Sequence, residues 1–195
     1  MTIRFCDEFE HGFGWQVADE FLQRTSHAIL VGGRVWLTDV VDGPGIDARI
    51  RELGEPAAVV QVIDRHERDC TAVATRLGVP LHVTPFDGVE DAPFSVLRVV
   101  RMPGWREVAL WFAMERTLVC GDALGSLGYF RAGGEPFGVH PLLRLFPPRS
   151  ALGGLDPQHV LFGHGGGLHG AEAALALREA LATARRRLPR ALLRR

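Results

Sequence analysis

The heptad Asp64-Arg65-His66-Glu67-Arg68-Asp69-Cys70 sets three acids, two arginines and a histidine directly behind the apolar run AAVVQVI. Carboxylates and imidazoles at a strand mouth can ligate a divalent ion, and arginines can neutralise the same carboxylates. The heptad therefore reads as a metal site, the remains of one, or an ion-pair knot that never held metal. Three other places carry comparable chemistry: MPGWRE (102 to 107), VCGDAL (119 to 124) and LFGHGGGLHG (161 to 170). Each lies at or just after an apolar run, and residues leaving strands at one edge of a sheet can converge on one pocket. Asp64, His66, Arg68, Asp69, Trp105, Asp122 and His164 lie in these four stretches, and His140 in the segment between the last two; all eight are candidate pocket residues. Within that set His66, Asp69, Asp122 and His164 are nitrogen and oxygen donors able to hold a single Zn, Fe or Mn ion. No catalytic residue is assigned.

The elements that must position these residues can be outlined from pattern. HAILV and RVWLTDVV flank Gly32-Gly33, a hairpin signal. IDARIRELGE reads as a short amphipathic helix ending near Gly54. AAVVQVI is the continuous apolar run of a strand buried on both faces. A helix is expected over 67 to 77, with Val73, Ala74 and Leu77 on one face and Gly78 as its cap. VPLHVT and FSVLRVVRM read as strands. EVALWFAMERTLVCGDAL reads as a hairpin turning near Glu115-Arg116. Residues 125 to 150 are rich in glycine and proline and form a surface excursion. HVLFG is a last strand, followed by a helix from 170 to about 187 and a basic tail that reads as a solvated face. Hairpins, one βαβ-like step, more hairpins, then strand and helix favour mixed sheets with helices outside over a doubly wound parallel sheet.

Composition narrows the function class. The chain has 195 residues, 47% hydrophobic and 23% charged, enough for one domain, 1–195, with a sizeable core. The net charge of −1 offers nothing to nucleic acid or an anionic membrane. All 22 basic residues are arginine, so lysine chemistry is excluded. Three scattered cysteines with no CxxC argue against a disulfide frame or a thiolate zinc knuckle. MTIRFCDEFEHGFG is too acidic for a signal peptide, and no apolar run approaches a membrane span. A cytoplasmic location is expected, with no nucleic-acid or membrane partner and an unidentified small molecule as ligand. The oligomeric state is not readable.

The order of these signals resembles the metallo-β-lactamase fold family over about residues 25 to 185. A hairpin ends in Asp39, a strand leads to the His-bearing knot, a PG turn follows, a strand pair ends in GD, and a last strand ends in GH. The resemblance implies an αββα sandwich of two mixed β-sheets flanked by helices, with a metal site at one edge. That family carries HxHxDH, then PGH, GD and GH. Here the first histidine position holds Asp64, the second holds His66, the aspartate position holds Arg68, and the third histidine position holds Asp69. The PGH histidine falls on Trp105, while Asp122 and His164 keep the family's residue types.

The resemblance implies a first metal on Asp64, His66 and Trp105, and a second on Arg68, Asp69, Asp122 and His164. Indole offers only an N–H donor and guanidinium stays cationic, so a dinuclear zinc centre is not expected. Arg68 is expected to stand in for the missing cation by pairing with Asp122 or Asp64, unless it points to solvent. Two functional readings follow. The first is a binding or regulatory module with a degenerate metal centre and no dinuclear hydrolase activity. The alternative is a mononuclear metal-dependent hydrolase of small esters, thioesters or lactones. Metal is not expected in the first, and one Zn, Fe or Mn ion is required by the second.

Other signals weigh less. GGGLHG matches GxGxxG, but no strand follows its helix, so a dinucleotide site fails. HGGG lacks the GxSxG elbow that an esterase needs. Cys70 opens a helix, where a thiol pKa can fall, yet a buried inert cysteine is the expectation. His140 and Arg144 lie in the excursion, the region that in the family lines the substrate pocket; the competing reading packs its leucines on the core. His27, His82 and His159 read as structural.

Overall fold

The computed structural model describes residues 2–18 and 20–193; Arg194 and Arg195 of the basic tail lie outside them. The chain starts with a hairpin, β1 (Ile3–Phe9) and β2 (Gly12–Val17), which the acid-rich opening did not announce. A second hairpin joins β3 (Thr25–Val31) to β4 (Arg34–Thr38). Its turn residues Gly32 and Gly33 have φ of 58° and 80°, the left-handed pair that a two-residue turn requires. Helix α1 (Ile46–Leu53) carries the chain back to β5 (Glu55–Gln61). Helix α2 (Cys70–Leu77) starts three residues later than its periodicity suggests, because Arg68 takes a left-handed φ of 43°. It leads to β6 (Leu81–Val83). These six strands form one sheet in the order β1 to β6, with β4, β5 and β6 parallel and the rest antiparallel.

The second half builds the opposing sheet. The strands β7 (Ser95–Met102), β8 (Trp105–Phe112) and β9 (Thr117–Cys120) form two successive hairpins. The excursion contains a small pair, β10 (Leu124–Gly125) and β11 (Gly138–Val139), a 3-10 turn at Pro141–Leu143, and helix α3 (Arg149–Leu152). Then β12 (His159–Phe162) returns parallel to β9, β13 (Leu168–His169) closes the edge, and α4 (Ala173–Leu192) ends the described chain. The order is β13-β12-β9-β8-β7. The final helix is longer than its sequence pattern indicated and carries Pro189 near its end.

Three apolar layers follow from strand alternation. Val59 of β5 faces outward with Ile50 and Val73 of the helices, while Ala58 and Val60 face inward against Val108, Leu110 and Leu161 of the second sheet. On the far side, Leu118, Val160 and Phe162 receive Leu177, Leu181 and Ala184 of α4. The layers are helix, sheet, sheet, helix: the expected αββα sandwich. Among the described residues no helix is long and apolar enough to cross a membrane.

Candidate metal centre

Register brings two of the expected residues together. Cys120 of β9 pairs with Phe162 of β12 in parallel, so Asp122 and His164, each two residues further on, leave adjacent strands at the same edge. His66 arrives from the other sheet, just beyond β5, where Ile63 bridges to Glu107 of β8. Gly163 makes room for it: a Cβ there would lie 2.9 Å from the His66 ring.

His66 Nε2 and His164 Nε2 each lie 3.1 Å from Asp122 Oδ1 and 3.3 Å from one another. Their outer partners fix the tautomers. His66 Nδ1 donates to Asp39 Oδ2 at 2.7 Å, and His164 Nδ1 donates to the Leu22 carbonyl at 2.7 Å. In the neutral rings both Nε2 lone pairs therefore point inward, at a buried carboxylate oxygen that no other donor reaches. With both rings neutral, three acceptors face one another, an arrangement that a bound cation or a proton on a ring relieves. Tetrahedral zinc, with ligands at about 2.0–2.1 Å, sets ligand atoms about 3.3 Å apart, so the spacing fits a single ion. Burial opposes charge on His66, but the carboxylates of Asp39 and Asp122 hold its pKa above the ordinary value. Burial likewise opposes the Asp122 anion, and the two imidazoles outweigh it, holding that carboxyl far below the usual range.

Arginines occupy the remaining space. Arg65 donates to Asp122 Oδ2 at 3.0 Å and lies over the Trp105 ring, 4.5 Å from its centroid. Arg68 donates to the carbonyls of Thr25 and Asp39 at 2.7 Å and of Gly163 at 2.9 Å. It ties the start of β3 to the exits of β4 and β12.

No family model matches the sequence, and no curated protein does either. Solved structures do. The DIM-1 metallo-β-lactamase aligns over 93% of this chain and 98% of its own, with a TM-score of 0.63 at 13% identity. A metallo-β-lactamase from Erythrobacter litoralis aligns over 92% of each chain, with a TM-score of 0.60 at 10% identity. TTHA1623, solved in a di-iron-bound form, aligns over 81% of this chain and 96% of its own, with a TM-score of 0.57 at 19% identity. This chain has the metallo-β-lactamase fold.

On that fold the eight nominated residues separate. His66, Asp122 and His164 converge. Asp64 and Asp69 do not join them. The Asp64 carboxylate accepts the Arg106 N–H at 3.0 Å, and Asp69 accepts the Asp42 N–H at 2.9 Å, both pinning backbone. The expected pairing of Arg68 with Asp122 or Asp64 is not made either. The positive φ at Arg68 turns its side chain inward to carbonyl oxygens, and Arg65 takes the carboxylate instead. Trp105 is buried and donates from Nε1 to Glu107 Oε2 at 2.9 Å. His140 meets Trp105 edge to face at 4.7 Å. Its Nδ1 accepts the Leu142 N–H, so Nε2 donates to the Tyr129 hydroxyl at 3.2 Å. Burial lowers the His140 pKa to about 4, which keeps the ring neutral. Cys70 is buried, and burial raises its thiol to about 12, so helix position does not activate it.

Two groups escaped the sequence reading. Glu107 is fully buried; its Oε1 accepts the N–H groups of Gly121 at 3.1 Å and Ala123 at 2.9 Å, gripping the backbone on both sides of Asp122. Burial pushes its pKa up to about 7, against those donated bonds. An acid at an inward position of the β8 alternation was the available signal. The second group lies at the β1 edge. There Asp7 contacts His27 at 3.3 Å and His169 at 3.5 Å, and accepts the Gly167 N–H at 2.7 Å. Gly167 and His169 lie 160 and 162 residues from Asp7, and nothing in the sequence joins them.

Proposed function

We propose that this chain holds one divalent metal ion on His66, Asp122 and His164 and hydrolyses a small ester, thioester or lactone. The observation that carries the reading is the inward convergence of two imidazole Nε2 atoms and one carboxylate oxygen at the spacing of metal ligands. Three protein ligands with a position left open is the pattern of catalytic rather than structural metal sites. Arg68, Trp105 and the turned-away Asp69 argue for one ion, not two. The metallo-β-lactamases and the di-iron form among the structural neighbours support hydrolysis, and iron as well as zinc as the ion. A binding module without metal is the competing reading.

When bound, the ion supplies Lewis acidity and lowers the pKa of water. The chain's own residues do the rest. Asp39 and the Leu22 carbonyl hold the two rings in the ligating tautomer. Arg65 occupies Asp122 Oδ2 and leaves Oδ1 for the centre. Hydrolysis adds the oxygen of water to the acyl carbon, breaks the acyl C–O or C–S bond, and returns a proton to the departing atom.

Elemental analysis of protein purified without chelator, with zinc titration of the wild type and of His66→Ala, tests the reading. One ion per chain, lost in the variant, with metal-dependent cleavage of p-nitrophenyl esters, is the expected result. No bound metal would leave the binding module.

A further inference from the structure

Beside the His66–Asp122–His164 centre lies a cleft of about 610 Å³ between the segment 20 to 24, the excursion and the end of α4. Its walls are Phe21, Leu22, Leu127, Tyr129, Leu142 and Leu192, completed by glycine, proline and alanine. Among the described residues no charged side chain lines it, and the Tyr129 hydroxyl is the single polar side-chain group. Several walls are unusually bare: Phe21 is 90% exposed, Leu142 74% and Leu192 51%. Apolar side chains left open to water around a concavity mark a place that something apolar covers.

The cleft borders the centre. The Leu22 carbonyl that holds His164 belongs to one wall. Leu127 lies against Gly165, where a Cβ would sit 3.2 Å from Leu127 Cδ2. Tyr129 joins the opposite wall to His140 and, through it, to Trp105. Nine of the described residues line it, against the roughly 20–30 per side of a stable protein interface. Its volume lies in the range of small-molecule sites, roughly 300–1,000 Å³. The occupant is therefore a small molecule, uncharged and apolar along its length, with its reactive end at the centre.

We propose that this cleft takes an unbranched acyl or alkyl chain on the order of ten carbons long, so that the substrate class is a medium-chain acyl ester or thioester. A methylene displaces about the volume of one water, ~30 Å³, so a ten-carbon chain fills about half of the space. The substrate class rests on the hydrolytic reading of the centre, but chain binding does not need it.

The test separates the two. The probe is N-phenyl-1-naphthylamine fluorescence on the full chain stripped of metal, displaced by the alkanol series from butanol to decanol. Each added methylene should tighten displacement about fourfold, the equivalent of ~0.8 kcal/mol of burial. Leu142→Arg and Phe21→Asp, both at exposed positions outside the core, should weaken decanol at least tenfold and flatten the series, with circular dichroism unchanged. With zinc present, KM for p-nitrophenyl esters should fall in parallel from acetate to decanoate. A flat alkanol series, or variants indistinguishable from wild type, overturns the proposal. So does a chain dimer that Leu142→Arg dissociates while the probe fails to bind, since the cleft is then an interface between copies. Chain-length-dependent binding without zinc uptake supports the cleft and refutes the hydrolytic reading. Ester hydrolysis indifferent to chain length, with no alkanol binding, does the reverse.

Discussion

Replacing Arg68 with alanine removes three charge-assisted hydrogen bonds at once, to the carbonyls of Thr25, Asp39 and Gly163. Each such bond contributes about 1.5–3 kcal/mol when its acceptor is left bare. Arg68 is only partly buried, so water can enter the space and satisfy some of the carbonyls. A loss of about 3 kcal/mol in urea unfolding is expected, a large part of a typical 5–15 kcal/mol. Arg68→Lys should recover less than half, because one ammonium cannot span three carbonyls from two sheets. The guanidinium also lies 3.3 Å from His66 Nδ1 and disfavours a charged ring. In metal-free Arg68→Ala the folded pKa of His66, already raised, rises further. A raised folded pKa adds stability below it that is lost as pH rises through it. The deficit should therefore be full at pH 8 and smaller near pH 6. A loss below about 0.5 kcal/mol, the size of an ordinary surface change, or full recovery by lysine, would refute the bridging role.

Glu107→Gln should weaken zinc binding about tenfold or more, the usual cost of losing support behind a ligand, measured by competition with a chromophoric chelator. Because burial raises the Glu107 pKa to about 7, wild-type stability should fall as pH rises through that value, and the variant should lack this fall. Asp7 behaves oppositely. Burial opposes its charge, but bonds from His169, His27 and the Gly167 N–H hold its pKa below the usual range. Its contribution is present above about pH 4 and lost as pH falls, so acid unfolding of Asp7→Asn should be flatter than that of the wild type. Arg144 is fully buried and grips Glu135 at 2.7 Å. Arg144→Met should cost about 3–5 kcal/mol in urea unfolding, with much of it regained in the double change with Glu135→Met.

The sheets were legible because apolar runs and glycine turns mark strand ends directly, and Asp122 and His164 follow such ends by a fixed two residues. The heptad was harder to read. Which of Arg65 and Arg68 faces the centre depends on one left-handed φ, and no residue type announces it at an arginine. The same turn sends Asp69 back toward Asp42, so a donor of the right type lands outside the centre. The Asp7 cluster was hidden for another reason. Its members come from the first two hairpins and the last one, and only the closed sandwich makes them neighbours.

The parallel register of β9 and β12 has a consequence for how such a protein changes over generations. The Asp122–His164 pair is set by backbone pairing between two core strands, whereas the long connection between those strands contributes five of the nine cleft-lining residues: Leu127, Gly128, Tyr129, Pro141 and Leu142. Lengthening, shortening or exchanging that connection leaves the ligand pair in place as long as the strands keep their register. On the proposed hydrolytic reading, reactivity and selectivity are thus inherited on separate stretches of chain, and a lineage can trade one substrate for another by loop exchange without dismantling the chemistry.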